Sequence, residues 1–148
     1  MPPNGSRSDT FSLVFKYGVE ARNVLDTDRG SYTKDMIVDP SITIELKLTR
    51  DDLDLILAKM NDIDFWSYPK ILEYEVPADV VAMSVTPYGS YYFKVQRGTT
   101  VMEVNWEDEH QDQSTRAARL RELTVLICSI IESKPEYRSL PEPRGGYM

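Results

Sequence analysis

The sequence predicts an α+β fold, in which an antiparallel sheet of five or six strands carries two helices on one face. Short segments of alternating apolar and polar residues are separated by turn signals, and strands joined by tight turns pair as antiparallel neighbours. Two longer segments repeat their apolar residues with the spacing of a helix. The chain has 148 residues, of which 41% are hydrophobic, so it is long enough to bury the core of one domain.

The elements are expected in the order ββ(β)α followed by βββα, beginning with three strand-like segments. Residues 11–17 alternate aromatic and aliphatic side chains with mostly polar ones, which indicates one buried face. A second strand is expected at residues 32–38, where the pair Asp39-Pro40 ends it. Residues 42–48 alternate most regularly and lead directly into the first helix.

The first helix is the most completely specified element in the sequence. Thr49 is a suitable N-cap, and Asp52 completes a capping box with it. Leu48 and Leu53 occupy the two positions of a hydrophobic staple. These signals predict a helix over residues 50–62. Its apolar stripe is formed by Leu53, Ile56, Leu57, Met60 and Ile63.

The second half of the chain is expected to form a three-stranded meander and a second helix. The strands are expected at residues 81–85, 91–95 and 102–106. The helix begins at Asp112 or Ser114, since either side chain can cap it, and it ends at Pro135. Its apolar residues repeat at helical spacing and supply a broad stripe for the core.

The expected organisation is one domain between two terminal segments. Residues 1–8 are rich in Pro, Gly and Ser and are expected to be a flexible lead-in. Residues 9–134 form the domain. Residues 135–148 contain several prolines and are expected to be an extended tail that packs against the domain.

Composition limits the classes of function. The net charge of −7 argues against a nucleic-acid-binding surface, which needs clustered Lys and Arg. No apolar run reaches the roughly 18–20 residues that a transmembrane helix requires. The single cysteine, Cys128, excludes an internal disulfide. Residues 1–10 lack the apolar region of a signal peptide, so two locations stay open: the cytoplasm, or the cell envelope for an exported domain whose leader preceded residue 1.

A ligand-binding face is predicted from aromatic and basic residues on turns or on the polar phase of strands. The residues are Tyr32, Lys34, Tyr88, Tyr92 and Lys94. If they share the sheet face away from the helices, that face can bind a peptide, a glycan or another protein. The alternative is that the tail, with Leu140 and Tyr147, folds back and covers the tyrosines.

An acidic segment before the second helix is the candidate metal site. Its possible ligands are Glu107, Asp108, Glu109, His110 and Asp112. The segment lacks the spacing and the central glycine of an EF-hand loop, so a solvated connection that favours the helix N-terminus is the simpler interpretation. Cys128 and His110 are the one thiol–imidazole pair, but Cys128 lies within a helix and is better explained as a packing residue. No cofactor-binding motif is present, so no cofactor is expected.

Three short motifs resemble those of a known group of proteins. They are Tyr32-Thr33-Lys34-Asp35-Met36, Ile63-Asp64-Phe65-Trp66 with Tyr68-Pro69, and Leu140-Pro141-Glu142-Pro143-x-Gly145-Gly146-Tyr147. The chain is similar, from about Phe11 to Tyr147, to a family of small bacterial proteins from Bacillus-type and related Gram-positive bacteria. Many members resemble exported lipoproteins, with a signal peptide and a lipid-attached cysteine before the domain. The family has no assigned activity, so the resemblance implies no catalytic residue.

Together these observations favour a non-enzymatic domain that binds a protein, peptide or glycan at the bacterial cell envelope. One alternative is a cytoplasmic protein-interaction module, including a homodimer formed through a free sheet edge or an uncovered face. A metal-dependent enzyme that uses the acidic segment at 107–112 is the less favoured alternative.

Overall fold

The computed structural model describes residues 11–73, 88–108 and 114–143. Within these ranges the strands are β1 (Phe11–Tyr17), β2 (Asn23–Asp26), β3 (Ser31–Lys34), β4 (Ile42–Glu45), β5 (Ile71–Leu72), β6 (Ser90–Arg97) and β7 (Thr100–Glu107). The helices are α1 (Arg50–Asp62), α2 (Thr115–Glu132) and α3 (Pro135–Arg138), with a 3-10 turn at Phe65–Ser67. All seven strands form one sheet in the order β4-β3-β2-β1-β6-β7-β5.

The predicted α+β class is confirmed, but the finer prediction of a purely antiparallel sheet is wrong. Six strands pair as antiparallel neighbours, whereas β5 pairs with β7 in parallel. The sheet also exceeds the predicted five or six strands, because β2 and β5 went unrecognised. Each of these strands has a single buried side chain, Leu25 in β2 and Leu72 in β5, so neither produces an alternating pattern.

The predicted strands differ from the observed ones mainly in where they end. β1 lies where the alternation placed it, and β6 and β7 contain the segments predicted at 91–95 and 102–106. β3 ends at Lys34 because the chain turns sharply at Ile37, which has a φ of 66°. The strand predicted at 81–85 lies outside the described residues.

The two long helices begin at caps that the sequence specifies. Thr49 Oγ1 accepts a hydrogen bond from Asp52 N at 3.0 Å, and Asp52 Oδ2 accepts one from Thr49 N at 2.9 Å. This is the predicted capping box. At the start of α2, Ser114 Oγ accepts a hydrogen bond from Ala117 N at 3.2 Å. Of the two residues proposed as the N-cap, Ser114 is therefore the one that caps the helix.

Both long helices pack on one face of the sheet, and the core lies between them. β1 contributes Phe11, Leu13 and Phe15, which are buried. Their helical partners in the same core are Ile56, Leu57, Met60, Ala117, Leu120, Leu123, Ile127 and Ile131. None of the helices in the described ranges combines the length and apolarity needed to cross a membrane.

The C-terminal segment differs from the predicted extended tail at its start. Residues 135–138 form the short helix α3, with Pro135 in its first turn, where a missing N–H has no cost. A third helix was not predicted, because one helical turn is too short to show an apolar stripe. Tyr137 and Leu140 pack against the core, on the helix side of the sheet.

Candidate functional site

The residues predicted to form one ligand-binding face lie on opposite faces of the sheet. Tyr92 and Lys94 alternate with buried Phe93 and Val95, so they lie on the outer face, away from the helices. Tyr32 lies on the inner face and is only 1% exposed. The prediction of a single exposed face is therefore wrong.

Lys34 shares the inner face with Tyr32, because Ser31 and Thr33 take the outward positions of β3. It is 6% exposed. Tyr32 and Lys34 were assigned to turns or to the polar phase of strands, but the long apolar parts of Tyr and Lys side chains can be buried. Tyr88 precedes β6, and its hydroxyl donates to Glu107 Oε1 at 3.1 Å.

The polar groups on the outer face are paired with each other. Tyr92 donates its hydroxyl to the Glu103 carboxylate, and the Lys16 ammonium lies 5.3 Å from the centre of the Tyr92 ring. Burial, followed by the Glu103 hydrogen bond and charge, raises the pKa of Tyr92 to about 12. Lys70 adds an ion pair to Glu103 at 3.6 Å. This cluster is internally satisfied, which weakens the case for a ligand there.

The described part of the acidic segment contacts protein donors. Asp108 accepts two hydrogen bonds from the Arg121 guanidinium, at 2.9 and 3.1 Å. Glu107 accepts the Tyr88 hydroxyl described above. The other proposed ligands, Glu109, His110 and Asp112, lie outside the described residues. Across the described ranges, no three His, Cys, Asp or Glu side chains are grouped closely enough to hold a metal ion.

A cavity of about 310 Å³ on the inner side of the sheet has the chemistry of a binding site. It lies between the strands β1 to β3 and the C-terminal segment. We call it the tyrosine pocket, and its polar side chains are Tyr17, Asn23, Tyr32, Lys34, Asp35, Glu132, Tyr137 and Glu142. Two of the predicted ligand-binding residues, Tyr32 and Lys34, are among them.

Two tyrosine hydroxyls form a pair at the base of the pocket. Tyr17 Oη and Tyr32 Oη are 2.6 Å apart, and either oxygen can be the donor. Burial is the main cause that raises the pKa of both hydroxyls well above their usual range, so both stay protonated at neutral pH. The bond between them uses one of the two hydroxyl protons. The second proton is available to another acceptor.

Lys34 is the buried charge of the pocket. Its ammonium donates to the carbonyl oxygen of Pro141 at 3.1 Å and lies 4.9 Å from the centre of the Tyr137 ring. None of the ion pairs formed by the described residues includes Lys34. An ammonium has three N–H donors, so two of them have no hydrogen-bond acceptor in the described part of the protein.

Carboxylates lie at the rim of the same cavity. Glu132, at the end of α2, and Glu142 are exposed, whereas Lys34 is buried. Burial and then the negative charges of Glu132 and Glu142 raise the pKa of Tyr137. The pocket therefore combines one buried ammonium with the carboxylates of Asp35, Glu132 and Glu142, and the two glutamates lie at its rim.

Cys128 lies close to the tyrosine pocket but has no reactive character. Burial and, to a lesser degree, the Glu132 charge raise the pKa of the thiol to about 12. A reactive cysteine needs a lowered pKa, because the thiolate is the nucleophile. This agrees with the sequence-based interpretation of Cys128 as a packing residue.

The backbone is strained where it borders the pocket. Ile37 has a φ of 66°, which is rare for a β-branched residue. A hydrogen bond of 2.8 Å from Val38 N to Met36 O closes a γ-turn around it, and Asp35 Oδ1 accepts from Ile37 N at 3.0 Å. Asn23 Oδ1 supports the turn by accepting from Asp35 N at 2.8 Å. Strain of this kind is concentrated at ligand-binding sites in proteins.

A second cavity, of about 410 Å³, shares Asp35 and Ile37 with the tyrosine pocket. Its basic side chains, Lys16 and Arg22, are not buried. In the described ranges the buried polar or charged residues are Lys34 and Thr124, and Thr124 donates its hydroxyl to Arg121 O at 2.7 Å. Of these two residues, Lys34 is the one that has N–H donors without an acceptor, and we place the candidate site in the tyrosine pocket for that reason.

Sequence reasoning missed Tyr17, Glu132 and Tyr137 as site residues. Tyr17 was assigned to the buried phase of β1, and Tyr137 to the tail. Their convergence depends on pairing between β1, β2 and β3 and on the path of the chain after α2. Neither of these is visible in a local sequence pattern.

Comparisons with known proteins identify no relative of this chain. No protein-family model, curated protein or solved structure matches it. The chemistry of the tyrosine pocket therefore has to be argued from its own residues.

Proposed function

We propose that this protein is a binding domain and that the tyrosine pocket holds part of its partner. The observation that carries the proposal is the buried ammonium of Lys34, with two N–H groups directed to no acceptor in the described residues. A buried charge with few partners lowers the stability of the free protein. A ligand that supplies the missing acceptors removes that cost.

The partner is a protein, peptide or glycan, and the proposed place of action is the bacterial cell envelope. The envelope location rests on the family resemblance of the motifs around Tyr32, Phe65 and Leu140. The same pocket also serves the alternative, a cytoplasmic interaction module. The genomic sequence upstream of residue 1 separates the two, because a lipobox with its cysteine favours the envelope and an ordinary cytoplasmic start contradicts it.

A thermal-shift screen tests whether the pocket binds a ligand. The panel contains amino acids, their amides and acetylated forms, short peptides, and mono- and disaccharides at millimolar concentration. A ligand that binds only the folded state raises Tm, by an amount that grows with its concentration over Kd.

The matched variants of the screen are Lys34→Met and Lys94→Met. Both remove one ammonium, but Lys94 lies on the outer face and is exposed. We expect the Tm increase to disappear in Lys34→Met and to persist in Lys94→Met. An equal increase in both variants, or no increase from any panel member, contradicts the proposal.

A further inference from the structure

The geometry of the tyrosine pocket points to a ligand carboxylate bound by Lys34, with the nitrogen beside that carboxylate donating to the acidic rim. We infer that the ligand is an α-amino acid or the C-terminal residue of a peptide. This inference rests on the proposed binding function and names the ligand class for it.

The interior of the pocket provides donors for an anionic oxygen. The ammonium of Lys34 has two N–H groups left after its bond to Pro141 O. The Tyr17–Tyr32 pair has one further hydroxyl proton, and burial keeps both hydroxyls protonated. A carboxylate has two oxygens and can accept from both kinds of donor, in hydrogen bonds strengthened by its charge.

The rim of the pocket selects what is attached to that carboxylate. Glu132 and Glu142 are negatively charged hydrogen-bond acceptors, so they repel a ligand that carries only negative groups. An ammonium next to the carboxylate offsets this repulsion, and an amide N–H can donate a hydrogen bond to a rim carboxylate. Both a free amino acid and a peptide C-terminus have such a nitrogen.

A sugar fits the pocket less well. Proteins commonly hold sugars by stacking them on exposed aromatic rings, and the ring of Tyr32 is 1% exposed. The Tyr137 ring is half-buried and already carries the Lys34 ammonium 4.9 Å from its centre. The tyrosines therefore offer hydroxyl groups more than free ring faces.

The size of the cavity favours a single residue. Its volume of about 310 Å³ is at the lower end of the range found for small-molecule sites. Val19, Ile37 and Pro143 supply apolar contacts that suit an aliphatic side chain. L-Leucine is therefore a suitable probe.

The experiment compares three forms of one probe by NMR titration of the full chain with labelled tyrosine. L-Leucine has the carboxylate and the ammonium, N-acetyl-L-leucine has the carboxylate and an amide N–H, and L-leucinamide has no carboxylate. We expect leucine or N-acetyl-leucine to shift the resonances of Tyr17, Tyr32 and Tyr137. We expect leucinamide to bind about tenfold more weakly or worse, because it gives Lys34 no anionic oxygen.

The two carboxylate probes identify the source of the ligand. Tighter binding of leucine indicates a free amino acid, and tighter binding of N-acetyl-leucine indicates a peptide C-terminus. The amide comparison uses the unmodified protein, so it does not depend on the folding of any variant. Lys34→Met and Lys94→Met complete the series, and we expect the first to abolish binding and the second to leave it unchanged.

The outcomes separate this inference from the function on which it rests. Equal binding of leucine and leucinamide overturns the carboxylate inference but leaves the tyrosine pocket as a binding site. The same holds if a sugar binds in a Lys34-dependent way and neither carboxylate probe does. If no probe and no panel member shifts the pocket tyrosines, both proposals are wrong.

Discussion

The N-terminus of α1 and the tyrosine pocket are both polar regions at the border of the core, but they differ in how completely their groups are paired. At α1, Thr49 and Asp52 cap each other, and Lys134 adds an ion pair to the same carboxylate. In the pocket, Lys34 has one carbonyl acceptor and one aromatic ring. The first region stabilises the fold without any ligand. The second keeps donors that a ligand can use.

The two regions also differ in how the chain assembles them. The capping box joins residues three positions apart, so a short segment contains all the information for it. The Lys34–Pro141 hydrogen bond joins residues 107 positions apart. A site built in this way depends on the whole sheet and on the C-terminal segment. Damage to α1 should therefore reduce stability, whereas changes in the pocket should affect stability less and binding more.

The largest effect is expected from a charge placed on the buried face of α1. Leu57 is 7% exposed, and Leu57→Asp should lower the free energy of unfolding by about 3–5 kcal/mol, because a carboxylate replaces a core side chain. Leu55→Asp is the matched control on the same helix, since Leu55 is 54% exposed and its change should cost under about 1 kcal/mol. Urea unfolding of both variants measures the difference. Equal stability would show that the buried face of α1 is assigned incorrectly.

A smaller effect is expected from the hydroxyl pair in the tyrosine pocket. Tyr17→Phe or Tyr32→Phe alone should cost about 1–2 kcal/mol, because the remaining buried hydroxyl loses its partner. The double variant should cost less than the sum of the two, with a coupling of about 1 kcal/mol. A double-mutant cycle by urea unfolding measures this coupling. Tyr92→Phe, on the outer face, is the control for the loss of one hydroxyl. If the stability costs of Tyr17→Phe and Tyr32→Phe simply add in the double variant, the two hydroxyls do not form a hydrogen-bonded pair.

The ion pair at α1 should give stability that depends on pH. Burial opposes ionisation of Asp52, but hydrogen bonds from Lys134 and Thr49 and the Lys134 charge together hold its pKa below its usual range. Because the pKa of Asp52 is lower in the folded state, its ion pair stabilises the fold fully at pH values above the ordinary Asp pKa of about 3.9. This stabilisation is lost as the pH falls through the folded-state pKa. Lys134→Met should therefore cost about 1 kcal/mol at pH 7 and progressively less below about pH 4.

The control for this pH dependence is an exposed pair. Lys47 and Glu45 lie 3.4 Å apart, and their side chains are 73% and 76% exposed. Lys47→Met should have little effect at any pH, because solvent screens the pair. Chemical unfolding of both variants from pH 7 to pH 2.5 makes the comparison. A cost of Lys134→Met that stays constant over this range would contradict the assignment of the pair.

The same contrast explains how much of the molecule the sequence predicts. The α+β class and α1 with its capping box follow from local spacing and were predicted correctly, and Ser114 is one of the two caps proposed for α2. The short strands β2 and β5 contain too few buried residues to produce a period. Tyr32 and Lys34 were assigned to turns or to the polar phase of strands, whereas both lie on the buried phase of β3. Their burial is set by α2 and the C-terminal segment, which are distant in sequence.

The central claim is that Lys34 serves a ligand more than the fold, and the free energy of unfolding of Lys34→Met tests it most directly. Met fills a similar volume without the charge, so the variant loses a hydrogen bond and a cation–π contact but no longer buries a poorly paired ammonium. These effects oppose each other, and we expect the ligand-free variant to be as stable as the wild type within about 0.5 kcal/mol, or more stable. A loss of about 2 kcal/mol or more would instead show that Lys34 is a structural clamp for the C-terminal segment.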